Sequence, residues 1–204
     1  MQQNKLFALL LLATLVLAGC LNQQESNPPQ NSTSQEQTVV PTGFQGNLTE
    51  LVLTAQETGF EVTDYSELSP GENGTELQEA GYESGYSVGL AKFDEVNFER
   101  IVHQVTKYNS TQGAAKGFEQ TQGVIRESNE IIAELSLPQL GEKQFGLKGS
   151  RVVDLGGKTV AIDDYIIVFL KSDILVAVDY FGLSESVSEE KAIELAQKAA
   201  SKFG

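Results

Sequence analysis

The sequence predicts an α+β fold: an antiparallel β-sheet with two main helices, in the order strands, helix, strands, helix. Three observations carry that expectation. Segments within residues 60–108 and 144–181 alternate apolar and polar side chains and are joined by short turns. Two other stretches, opening near Ser110 and Ser186, repeat apolar residues at helical spacing. The chain has 204 residues, 40% of them hydrophobic, enough for one domain with a core and too apolar for a chain unfolded throughout.

The first element is an address. Lys5 precedes an apolar run of thirteen residues, Leu6 to Ala18, broken only by Thr14. The run falls short of the about 20 residues that span a bilayer. It fits the apolar centre of a secretory signal, about 7–15 residues. It ends in Leu17-Ala18-Gly19-Cys20, a branched residue and two small ones before the only Cys of the chain. This resembles the lipobox of prokaryotic surface lipoproteins, archaeal or bacterial. The resemblance implies that residues 1–19 are a lipoprotein signal peptide and that the Cys20 sulfur carries a diacylglyceryl group. It also implies an extracytoplasmic location, anchored to the cell membrane by N-terminal lipid. Two acyl chains supply the double anchor that stable attachment needs.

Residues 20–46 read as a disordered polar tether. They are rich in Gln, Asn, Ser, Thr and Pro and lack apolar periodicity. As a flexible chain such a stretch reaches on the order of 30 Å. Residues 47–204 then form a single α+β globular domain. Four Asn-X-Thr sequons, at Asn31, Asn47, Asn73 and Asn109, are candidates for N-glycosylation.

Charge narrows the partners. The chain carries 28 acidic and 14 basic residues, a net charge of -14. Clustered Lys and Arg are what the phosphates of nucleic acid require, so no nucleic-acid partner is expected. Residues 20–91 hold eleven acids and no Lys or Arg. That half is repelled by anionic headgroups and should project from the membrane.

Within the domain, Phe60 to Ser66 alternates as a half-buried strand, and residues 71–79 read as a polar loop. Tyr82 to Phe93 and Phe98 to Tyr108 are the next strands. Ser110 or Thr111 caps a helix whose Ala114, Phe118, Ile125 and Ile132 share a face, and Pro138 with Gly141 closes it. Gly113, Gly117 and Gly123 each weaken that helix by roughly 1 kcal/mol relative to Ala. Gln144–Val153, Thr159–Leu170 and Ile174–Phe181 are strands joined by tight turns. Along the last of these both faces are apolar, with Asp179 its only charge, so it should lie at the centre of the sheet. Ser186-Val-Ser-Glu189 reads as a capping box for a helix with an apolar face of Ala192, Ile193, Leu195, Ala196, Ala199, Ala200 and Phe203. With the 137–141 stretch and the 165–178 hairpin, this arrangement resembles small α+β domains of exported lipoproteins. These include the PsbP/Mog1-like fold and the LpqN-type and PknH-sensor-type domains. The resemblance implies an accessory or sensing module and supplies no site residue.

The candidate chemical motifs point away from catalysis. Gly85-Tyr-Ser87-Val-Gly89 matches the nucleophile elbow G-x-S-x-G, but that elbow needs a strand-to-helix turn, and Ser87 sits within a strand pattern. A serine hydrolase using Ser87 and His103, the only His, with Asp94 between them, is the enzymatic alternative. Gly156-Gly-Lys158-Thr imitates the end of a P-loop, yet Val152 stands where the motif needs Gly. Asp163 and Asp164 are neighbours on a strand and point to opposite faces, so they do not converge on one cation. A calcium-binding surface domain built on Glu72, Glu76 or Glu79 is the second alternative. Phe60, Tyr65, Tyr82 and Tyr86 form an aromatic cluster in sequence, suited to a core or to a ligand groove. The reading is a membrane-anchored lipoprotein whose domain binds, senses or assists assembly, with no catalytic residue and no cofactor or metal expected. The sequence names no protein or small-molecule partner.

Overall fold

The structure is a computed structural model that describes residues 43–68, 74–94, 97–128, 131–155 and 157–203. Asn47 opens a short 3₁₀ turn, Leu48–Glu50, by accepting the Thr49 N–H. Helix α1 (Ala55–Thr58) follows with a full capping box between Thr54 and Glu57, and ends at Gly59 in the left-handed region. Then come β1 (Glu61–Leu68), α2 (Gly74–Glu79), β2 (Tyr82–Phe93), β3 (Phe98–Tyr108) and α3 (Thr111–Ser128). The second half is β4 (Ile131–Glu134), β5 (Lys143–Leu155), β6 (Lys158–Lys171), β7 (Ile174–Leu183) and α4 (Glu189–Ser201).

All seven strands form one sheet in the order β1-β2-β3-β7-β6-β5-β4, with antiparallel pairing throughout. Two meanders, β1–β2–β3 and β5–β6–β7, thus meet where β3 pairs with β7, and a helix follows each. The double apolar pattern of β7 has its explanation here. Val176, Val178 and Tyr180 face a core closed by Leu195, Ala196 and Ala199 of α4 and by Leu51–Leu53. Leu175 and Ala177 face a second core under Ala114 and Phe118 of α3.

Three local expectations are corrected. Residues 74–79 of the expected polar loop are helical. The helical repeat does not extend to Ile132: α3 ends at Ser128, and Ile131–Glu134 pairs with the edge of β5. Consecutive β-branched residues favour extended backbone, and β5 offers an unfilled edge. The cap of α4 is Ser188, not Ser186, with its side chain accepting the Lys191 N–H. The chain also packs before residue 47. The Phe44 N–H donates to Asp173 at 2.8 Å, and the Phe44 ring lies 6.3 Å from that of Phe203.

Candidate functional site

The structure separates the residues of the hydrolase alternative. Val88 pairs with His103 across β2 and β3, and both belong to the face under α4. Ser87 pairs with Gln104 and therefore leaves the opposite face. His103 is fully buried, and its Nδ1 accepts the Leu53 N–H at 2.8 Å. That bond places the imidazole proton on Nε2, a buried atom with no hydrogen-bond partner among the described residues. Burial, with Lys202 adding to it, pushes the His103 pKa down to about 3, so the ring is neutral. Its role is to pin residues 51–53 to the sheet. Asp94 is engaged in the β2–β3 turn, accepting the Asn97 N–H at 2.7 Å.

The other sequence candidates scatter. Cys20, Asn31, Glu72 and Asn73 lie outside the described residues, and no side chain is described for Glu76. Glu79 lies 3.8 Å from Lys116. Among the described residues no group of three His, Cys, Asp or Glu side chains is arranged to hold a metal ion. Asn47 and Asn109 are both exposed. The aromatic residues divide: Phe60 meets Tyr180 in one core, against which Tyr86 also packs, Tyr82 meets Tyr108 in the other, and the exposed Tyr65 lies against Tyr86.

Asp163 and Asp164 point to opposite faces as expected, and their environments diverge. Asp163 is bound by Lys148 at 2.8 Å and by the hydroxyls of Ser150 and Ser184. Burial opposes its ionisation, but these donors outweigh it and hold its pKa below the usual carboxylate range. Asp164 belongs to a constellation that local sequence patterns do not reveal. Two adjacent rows cross the sheet on the face of α3. One runs Asp64, Gly89, Val102, Asp179, Ile166, Leu147; the next runs Glu61, Ala91, Arg100, Phe181, Asp164, Gly149. Arg151, one step further along β5, faces the same side. Beside the exposed Glu61, five charged residues from five strands are thereby aligned: Asp64, Arg100, Asp179, Asp164 and Arg151.

Gly89 makes the first link. A Cβ there would lie 2.2 Å from Asp64 Oδ2, so only glycine lets the Asp64 carboxylate lean across β2. It reaches Arg100 Nη2 at 3.0 Å, while the buried Arg100 Nε has no acceptor among the described residues. Asp164 and Asp179 sit diagonally across β6 and β7, and the buried Oδ1 of each has no donor among the described residues. Burial raises both pKa values, and for Asp179 the charge of Asp164 raises it further. Arg151 acts against the rise at both, and Arg100 also does so at Asp179. Beyond this row the face ends in an aromatic strip. The Phe98 ring lies 5.3 Å from Phe93 and 5.8 Å from Phe181, and Phe93 is 67% exposed. α3 packs over the other end of the face, on Val168, Leu170 and Leu175.

No family model matches the chain, and no curated protein matches it. One solved structure with a likeness is the extracellular domain of PknH from Mycobacterium tuberculosis, with TM-score 0.49 and 10% identity. The match covers 76% of this chain and 93% of that one. At that level the likeness carries no argument about function or location. Among the described residues no helix is long and apolar enough to cross a membrane.

Proposed function

We propose that this chain is an extracytoplasmic lipoprotein, held at the membrane by a diacylglyceryl group on Cys20. Its globular domain binds, senses or assists assembly without catalysis. The carrying observation is Leu17-Ala18-Gly19-Cys20 behind an apolar run of thirteen residues, with the only Cys of the chain at the one position that lipidation needs. The polar tether and the acid-rich first half suit a domain that stands clear of headgroups. Ser87 and His103 lie on opposite faces of the sheet, which supports a reading without that dyad. In this reading a ligand or partner meets the end of the sheet face that carries Phe93, Phe98, Arg100 and Asp179.

Metabolic labelling with an alkynyl fatty acid in the native host tests the anchor. The wild-type chain should take up label and sediment with membranes, and Cys20→Ser should do neither. Label retained by Cys20→Ser overturns the assignment. Intact mass of the same preparation reads glycans on the exposed Asn47 and Asn109, and native mass spectrometry reads any ligand that leaves on denaturation.

A further inference from the structure

We propose that Asp164 and Asp179 bind one proton between them, and that this proton decides whether Arg100 stays with Asp64 on edge strand β1 or turns to Asp179 on central strand β7. The device does not depend on the lipid anchor.

The argument begins with charge. Asp64 holds Arg100, which leaves Arg151 to balance two carboxylates, Asp164 and Asp179, and Glu61 in the same row adds only negative charge. Burying an unbalanced charge is costly, and two carboxylates in contact do not both ionise readily. Donors come next. Among the described residues nothing donates to the buried Asp164 Oδ1 and Asp179 Oδ1, and a proton held between the carboxyls supplies a donor. Among the described residues the surroundings supply no other counter-charge. β2 contributes Gly89 and Ala91 to this face, and Glu61 on β1 is exposed. The charged side chains of α3 are committed elsewhere: Lys116 to Glu79, Glu119 to Lys143 and Arg126 to Glu134, while Glu127 is exposed.

Arg100 couples the pair to the edge of the sheet. It bonds Asp64 through Nη2 and keeps a buried Nε with no acceptor among the described residues. Loss of the proton adds a negative charge on the inner side of the guanidinium, and the pull on Arg100 shifts toward Asp179. Asp64 then loses its counter-ion. β1 pairs only with β2 and exposes nearly every residue, and among the described residues the bridge over Gly89 is its one ion pair to an inner strand. The raised pKa values agree in sign: the folded state holds the proton more tightly than the unfolded chain, so this stabilisation is lost as pH rises through the folded values.

The test uses the full chain in mild detergent with carboxyl-¹³C aspartate, from about pH 5 to about pH 9. Two aspartate resonances should titrate together above the ordinary carboxylate range, as coupled sites do. Hydrogen exchange, corrected for intrinsic rates, should show β1 losing about tenfold protection over the same step while β4 is unchanged. Asp179→Asn should abolish both the step and the pH dependence of β1. Asp64→Asn should leave the carboxyl step and make β1 weakly protected at every pH. Two resonances that are fully ionised by about pH 5 overturn the shared proton; this wild-type reading stands even where a variant fails to fold. A carboxyl step with unchanged β1 protection overturns the Arg100 relay.

Discussion

His103 is a buried imidazole whose hydrogen bond from the Leu53 N–H requires the neutral form, and folding should therefore weaken as pH falls. The sign follows from proton counting. The unfolded chain binds a proton near pH 6.5, whereas the folded chain resists it until about pH 3. Between those values the unfolded state holds more protons, so the His103 contribution is intact above pH 6.5 and is lost below it. At 1.36 kcal/mol per unit, the loss between pH 8 and pH 5 is about 2 kcal/mol, and the full span is worth about 5 kcal/mol. Glutamine does not titrate, and its side-chain oxygen can accept the Leu53 N–H. Urea unfolding of the chain from Gly43, followed by circular dichroism at both pH values, reads the effect. His103→Gln should be less stable at pH 8 through imperfect packing, yet its pH 8 to pH 5 difference should be about 2 kcal/mol smaller than that of wild type. The other titrating groups are common to both chains and cancel in that comparison. Equal pH dependence in the two chains would refute the buried neutral histidine.

Three further outcomes follow from the glycines and from Glu57. Within α3, Gly117 approaches Tyr108 so closely that a Cβ would lie 2.2 Å from its hydroxyl, whereas Gly123 faces open space. Gly123→Ala should stabilise by roughly 1 kcal/mol and Gly117→Ala should destabilise by about 1–3 kcal/mol, both read by thermal unfolding. Gly89→Ala and Asp64→Asn should each cost about 1 kcal/mol, and the double variant little more than either. A full sum in that double-mutant cycle would show that Gly89 does not serve the Asp64–Arg100 bridge. Glu57 accepts from Thr54 and pairs with Lys202 at 2.8 Å. Burial opposes its ionisation, but Lys202 and Thr54 hold its pKa below the usual value. Glu57→Gln should therefore lower the melting temperature at neutral pH, and the deficit should shrink as acid protonates the wild-type carboxylate.

The strands with clean period-two patterns were legible from the residues alone. Tyr82–Phe93 and Phe98–Tyr108 have the expected ends, and the two apolar faces of Ile174–Phe181 identify the central strand. Short or contested segments were not. The α2 segment has too few residues to establish a period, and Ile132 fits a helical repeat until the edge of β5 competes for it. The charged row was illegible for a different reason. Asp64, Arg100, Arg151, Asp164 and Asp179 are brought together by the register of five strands, which no local window contains. One trace of it did exist: Asp179 is the single charge on a strand apolar on both faces. A carboxylate in the middle of a sheet requires partners on neighbouring strands.

The fastening of residues 43–60 has a mechanical consequence. The segment's side-chain anchors lie on the inner strands and the last helix. Phe44 is held by Asp173 at the β6–β7 turn and by Phe203, Leu53 by His103 on β3, and Glu57 by Lys198 and Lys202 of α4. Tension arriving from residues before Gly43 therefore enters at the middle of the sheet and at the last helix. It loads several contacts in parallel instead of unzipping β1 one hydrogen bond at a time. A domain fastened in this way should yield to a steady pull at one high force rather than in small steps.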